Sequence, residues 1–296
     1  PEWIDRLKIV GIDLRDPTQV IALADDVAAA GPLDILINNA AQTVRRSPGS
    51  YSHLVHGENE PLDTNGPMPE LVTFDRISEA HPAALLGSLA KHPVPHAALD
   101  AASMTKLALR AGQASHEAHV AGTAIDAGGL LPDLQRTNSW TQTVSEVDPL
   151  ELLEVQLCNS TAPFLLVSRL RPSLAASPAR RSYVVNVSAM EGQFSRRYKG
   201  AGHPHTNMAK AALNMLTRTS AAEMLETDGI LMTAVDTGWI TDERPHDEKL
   251  RIAAEGWHAP LDLVDGAARV YDPIVRGEAG EDLHGVFLKN FAPHPW

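Results

Sequence analysis

The feature that most constrains this chain is a set of short, unbroken apolar runs, each followed or preceded by a helical stretch. LKIVGI (Leu7 to Ile12) ends at Asp13, and Asp16 with Pro17 supplies an N-cap and an N1 residue for TQVIALADDVAAA, a helical stretch that Gly31 closes at C′. LDILI (Leu33 to Ile37) follows at once. A run without polar alternation suits a strand buried on both faces, as in a parallel sheet covered by helices. Strand, helix and strand joined by short connections make a βαβ unit.

The pattern returns at residue 148. Asp148 and Pro149 repeat the cap signal before LELLEVQLCNSTAPFLLVSRLRPSL, which leads to the strand SYVVNVS (Ser182 to Ser188). A second long helical stretch, HTNMAKAALNMLTRTSAAEMLE, ends near Gly229 and feeds ILMTAV (Ile230 to Val235). A charged loop (Thr241 to Lys249), a shorter helix (DLVDGAARVYDPIV) and a last strand, GVFLKNF (Gly285 to Phe291), complete the chain. This alternation specifies an α/β fold whose parallel sheet is covered on both faces.

Residues 44–146 break the pattern and read as an insertion within one domain. Proline and glycine punctuate its start, an Ala-rich stretch (His81 to Leu109) and a Gly-rich one (Ala121 to Leu131) follow, and LVTF (Leu71 to Phe74) alone reads as a strand. SLAKH and ALDAASMTKLALRAG read as helices. HEAH (His116 to His119) has no supporting third ligand, so no metal site is expected.

In an open parallel sheet, ligands bind beyond the carboxyl ends of the strands. The residues there are Asp13, Asn38-Asn39-Ala40-Ala41, Ser188-Ala189 and Asp236-Thr237-Gly238-Trp239. LDILINNAA, the Asn159 of CNSTAPFLL, YVVNVS, HTNMAKAALNMLT and VDTGWIT, in that order, resemble the short-chain dehydrogenase/reductase family over residues 7–42 and 148–291. The resemblance implies a Rossmann-like, doubly wound parallel sheet of order 3-2-1-4-5-6 that binds a nicotinamide cofactor. Against that order the chain lacks the first two strands and the glycine-rich turn that would meet the pyrophosphate, leaving a hole between Leu7–Ile12 and Leu33–Ile37. We expect a missing stretch before Pro1; the alternative is that the insertion supplies replacement strands, with LVTF as the candidate.

The resemblance further implies that Asp13 lies near the adenine, that Asn38, Asn39 and Ala40 border the adenosine half, and that Asn159 helps hold a water in a proton relay. Lys210 would hold the nicotinamide ribose and lower the pKa of a Tyr four residues earlier. Here that position is Thr206, whose hydroxyl is far less acidic than a phenol at about 10. Thr206, Lys210 and Asn214 fall at i, i+4 and i+8 and share a helix face. NVSA places Ala189 at the family's serine position and leaves Ser188 one step away, pointing to the other side of its strand. Tyr198, in SRRYKGAGHPH, and His205, beside Thr206, are candidates to supply the proton instead. Gly238 permits a tight turn after Thr237, where the family prefers proline, and Thr241 is placed to contact carboxamide or phosphate. A strand-end turn is the alternative reading of Asn38 and Asn39; a Pro163 kink would explain the proline but not Asn159.

The implied activity is interconversion of an alcohol and a carbonyl on a small molecule with NAD or NADP. The altered Tyr and Ser positions keep open a cofactor-binding relative without redox activity: a scaffold, a sensor or a non-redox catalyst. The residue that would choose between the two cofactors belongs to the absent second strand. With 25 Lys+Arg against 37 Asp+Glu, a net charge of −12 and only scattered basic pairs, a nucleic-acid partner is not expected. No apolar run approaches the roughly 18 to 20 residues of a membrane span, and PEWIDRLKIV lacks the order of a signal peptide. The single cysteine, Cys158, excludes an internal disulfide, suits a reducing, cytoplasmic setting and reads as a small buried residue. Family analogy implies a homo-oligomer packed through the two long helices.

Overall fold

The computed structural model describes residues 2–46, 48–51, 54, 57, 60, 61, 66–74, 78–82 and 131–296. SLAKH, ALDAASMTKLALRAG and HEAH, with most of the Ala-rich and Gly-rich stretches, lie outside the described residues.

The first βαβ unit is β1 (Lys8–Gly11), α1 (Pro17–Ala29) and β2 (Ile35–Asn38). Asp16 caps α1 by accepting from the Thr18 amide, Pro17 occupies N1, and Gly31 leaves the helix at φ 112°. The same fully buried carboxylate accepts from the amide and hydroxyl of Ser78 at 2.6 and 2.7 Å, tying the insertion to the start of α1. Residues 71–73 of LVTF, with Glu70 in place of Phe74, form β3 (Glu70–Thr73), which pairs parallel with β1 in the register Val10↔Val72. The insertion thus supplies a partner for β1.

The regular half begins with α2 (Pro149–Gln156), capped by Asp148 on the amides of Leu150 and Glu151. A π turn, Leu157–Thr161, joins it to α3 (Ala162–Ala175). Proline lacks the amide that would close an α-helical bond to Asn159, and its ring crowds that carbonyl, so Pro163 accounts for the looser turn just before it. Then come β4 (Ser182–Ser188), α4 (Pro204–Asp228), β5 (Ile230–Asp236), α5 (His246–Ala254), α6 (Leu263–Glu278), β6 (Phe287–Lys289) and β7 (Ala292–His294). α5 forms where a charged loop was expected, and the last strand is shorter than GVFLKNF. Asn290 and Phe291 take φ 47° and 64°, the pair of positive angles a type I′ turn requires, so the chain reverses after Lys289 and β7 pairs antiparallel.

The main sheet has the order β2-β4-β5-β6-β7 and is otherwise parallel, with Asn38 opposite Asn186 and Ser188 opposite Asp236. β4 and β5 are buried at every position. Val184 and Met232 face α3 and α4 in a core with Val167, Leu174 and Met224, while Tyr183, Val185, Leu231 and Val235 face α6 through Ile274. Each such side chain contributes roughly 1.5–3 kcal/mol by leaving water, so the fold is anchored here. β1 and β2 stand apart in separate sheets. Ile9, Ile35 and Ile37 are 40–47% exposed, and a cavity of about 330 Å³ lies between the two strands, α1 and α3, where the sequence leaves a hole. No described helix is long and apolar enough to cross a membrane.

Candidate functional site

The carboxyl end of β4 meets the first turns of α4, and both are held in place by side-chain stacking and close backbone approach. The His203 ring stacks on Trp140 at 3.9 Å and its Nδ1 lies 2.8 Å from the Trp140 carbonyl, so the residue before Pro204 is fixed in a left-handed conformation, φ 43°. Two turns on, Lys210 is buried and donates from Nζ to the Val187 carbonyl at 2.8 Å. Burial pushes its pKa down to about 8, against the pull of Glu191. Asn214, one turn further, accepts from Ser188 Oγ at 2.5 Å, and its Nδ2 is buried without a hydrogen-bond partner among the described residues. The turn Met190–Gly192 lies so close to α4 that a Cβ on Gly192 would stand 2.7 Å from the Lys210 carbonyl oxygen. Only glycine allows that approach.

Over this floor runs the segment Gln42–Arg46, strapped down residue by residue. Asn159, presented by the π turn, donates to the Gln42 carbonyl at 2.7 Å and accepts from the Gln42 amide at 2.8 Å. The Thr206 hydroxyl donates to the Thr43 carbonyl at 3.2 Å, the Arg45 amide to Glu151 at 2.6 Å, and Arg46 to Glu243 at 2.9 Å. The Gln42 side chain and Arg15 both donate to the buried Glu154. Asn159 and Thr206 therefore hold backbone, and the structure gathers them with Lys210 and Ser188 around one strand end.

His205 is 1% exposed, neither of its ring nitrogens has a hydrogen-bond partner among the described residues, and its Nε2 stands 4.0 Å from Glu151. Burial, with His203 adding to it, pushes the imidazole down to about 4. Burial also raises Glu151 above the ordinary carboxylate range, against the hydrogen bonds from Ser139 and the Arg45 amide. Tyr198 is 80% exposed, with its phenol 3.8 Å from where a Gly200 Cβ would stand, and it makes no hydrogen bond to the Lys210 cluster among the described residues.

On the other side of the sheet end, Asp13 grips Arg15 through both carboxylate oxygens and lies 3.3 Å from His81 Nε2. Burial would raise its pKa, but the bonds from His81 and Arg15 prevail and hold it well below the usual carboxylate range. Asn38 donates to Asn186 Oδ1 at 2.8 Å, and Asn186 donates on to Thr217 at 2.9 Å, a buried amide chain from β2 to α4. Asn38, Asn39 and Ala40 also line the cavity beside β1, as does Cys158, whose thiol burial pushes up to about 12. That thiol is packing rather than a nucleophile. Gly238 turns at φ 81° with its amide on Asp236 at 2.9 Å, and the Thr241 hydroxyl donates to Glu243 at 3.0 Å. Among the described residues no three His, Cys, Asp or Glu side chains converge as a metal site.

Sequence reasoning missed Glu151 and Glu154. Their signal was present: two acids three apart on the first helical turns after the Asp148 cap, in a stretch otherwise rich in leucine.

No family model matches the chain. An uncharacterized protein of Acanthamoeba polyphaga mimivirus is 31% identical over 152 residues, which are 49% of this chain and 32% of that protein. The chain thus spans about a third of the length of the curated relative it matches. Among solved structures, a short-chain dehydrogenase/reductase from Burkholderia multivorans with bound NADP is 15% identical with a TM-score of 0.43, 98% of each chain being covered. Carbonyl reductase Sniffer of D. melanogaster is 18% identical with a TM-score of 0.43, covering 90% of this chain and 100% of that one. The NADPH-bound carbonyl reductase from chicken fatty liver is 16% identical, with a TM-score of 0.43 and 98% of each chain covered.

Proposed function

We propose that this chain binds NAD or NADP and interconverts an alcohol and a carbonyl on a small molecule. The observation that carries the reading is the buried Lys210 ammonium at the carboxyl end of β4, with Ser188, Asn159 and Thr206 around it. The residues present fit the nucleoside ends of such a cofactor. Lys210 has three N–H donors and spends one on Val187, and Asn39 and Ala40 border a cavity of about 330 Å³. When bound, the dinucleotide supplies or accepts the hydride.

The chain's own part is the proton. Thr206 and Ser188 are poor acids, each already donating within the protein, and the Tyr198 ring is exposed to solvent. Lys210 is the one group of this cluster that burial brings to about 8, so Nζ can hand a proton to a carbonyl oxygen or take one from an alcohol near neutral pH. The Val187 carbonyl fixes the ammonium in place, and Lys210 is itself buried. The test is oxidation of NADH or NADPH over a panel of aldehydes and ketones: Lys210→Met should cut the rate at least ~100-fold without lowering the melting temperature. Undiminished turnover in that variant refutes the assignment.

A second reading, cofactor binding without redox turnover, draws on one observation. Asn159, Thr206 and Ser188 are each committed to protein partners, Gln42, Thr43 and Asn214. Tight binding of NADPH with no oxidation across the panel selects it.

A further inference from the structure

We propose that the loop Phe194–Lys199 is the docking site for the anionic end of the substrate, a carboxylate or phosphate carried on an apolar body. The inference rests on the reading that places the reacting centre at Lys210. Phe194 and Tyr198 are 78% and 80% exposed, and Arg196 and Arg197 between them are exposed and make no hydrogen bond or ion pair among the described residues. On a chain of net charge −12, two unspent guanidinium groups flanked by two bare aromatic rings are an unusual concentration of binding potential.

The loop is built to present them. At its start, Gln193 donates to the Pro295 carbonyl at 2.8 Å and the Ser195 amide to the Trp296 carbonyl at 2.9 Å. At its end, Lys199 is spent on the carbonyls of Met190 and Glu191 at 2.7 and 2.6 Å. Those carbonyls belong to the turn whose Gly192 abuts the backbone of Lys210, so the loop is anchored to the wall of the candidate site. Glu191, half-buried at the anchor, is the acid facing the loop, and Lys199 lies against its backbone. Planar guanidinium groups take carboxylate and phosphate oxygens in pairs, and the rings cover the apolar body beside them. A lipid surface would call on the same side chains, but the anchorage of the loop against the turn that packs on the Lys210 backbone favours a small ligand.

The test uses phenyl phosphate and benzoate as probes, with NADPH binding measured alongside, in the intact chain and in the double variant Arg196→Ser, Arg197→Ser. Both changes are at exposed positions and leave the fold intact. The expected result is salt-sensitive binding of the probes that weakens roughly tenfold in the variant, with NADPH affinity unchanged. In turnover, 4-carboxybenzaldehyde should show a lower KM than benzaldehyde at similar kcat, and the variant should lose that preference. Equal probe binding by both proteins overturns the proposal. So does association with phosphatidylserine vesicles in place of probe binding, which would assign the loop to a membrane. Arginine-dependent probe binding with no cofactor oxidation would leave the docking site standing and remove the redox reading instead.

Discussion

β4 and β1 come from similar apolar sequences and end in different surroundings. SYVVNVS lies between β2 and β5 with helices on both faces and is buried throughout, whereas in KIVG Ile9 is 47% exposed and, among the described residues, the strand pairs with β3 alone. β2 stands between these cases, paired with β4 on one side and open to the cavity on the other. The difference teaches that an unbroken apolar run specifies a strand and its parallel pairing, while the worth of that strand depends on how many neighbours cover it.

Met232→Ala is the strongest way to probe the covered half: it empties the fully buried core between β5 and α4 and should cost about 2–5 kcal/mol in denaturant unfolding. A loss under ~1 kcal/mol would mean that the core is not where the fold is anchored. Next comes Asn186→Ala, which strands the amide of Asn38 at the seam between β2 and β4 and should cost about 1–3 kcal/mol. If thermal melts show no change, the amide chain is not part of what joins the open half to the covered one.

A smaller, pH-dependent effect separates His205 from its neighbour. Unfolded, the imidazole takes its proton near 6.5, but in the folded chain only near 4, so between these values the unfolded state binds more protons. Stability should therefore fall as pH drops from 6.5 to 4, and His205→Gln should flatten that slope. Glu151, raised above its ordinary value, works in the opposite sense, so Glu151→Gln should steepen it. Thermal melts of both variants from pH 4 to 7 decide the matter, and parallel slopes would contradict the burial of the pair. The smallest effect belongs to the open half: Ile9→Ala should cost less than ~1 kcal/mol, and a core-sized loss would show that β1 is covered after all.

What was legible in the sequence was local. The caps at Asp16–Pro17 and Asp148–Pro149, the strands SYVVNVS and ILMTAV and the shared face of Thr206, Lys210 and Asn214 each depend on residues within a few positions. The hairpin after Lys289 escaped because a strand-like run concealed two left-handed residues. Tyr198 looked available because it precedes α4 closely, but the carbonyls of Met190 and Glu191 hold its neighbour Lys199 while its own ring stays outside. The strap was illegible for the opposite reason: its partners, Asn159, Thr206, Glu151 and Glu243, are more than a hundred residues from it in sequence. The sequence singles out Asn159 and Ser188, but their hydrogen bonds to Gln42 and Asn214 could be known only from the fold.

The proposed function depends on the covered half, which carries Lys210 on the rim of its two best-buried strands. The most direct test of that claim is single-turnover oxidation of NADH or NADPH by the intact chain with excess aldehyde, followed against pH in wild type and Lys210→Met. The account predicts carbonyl-dependent oxidation in the wild type that falls away as pH rises through about 8, where Nζ loses its proton, and at least ~100-fold less in the variant. Oxidation in Lys210→Met at the wild-type rate and with the same pH profile would contradict it.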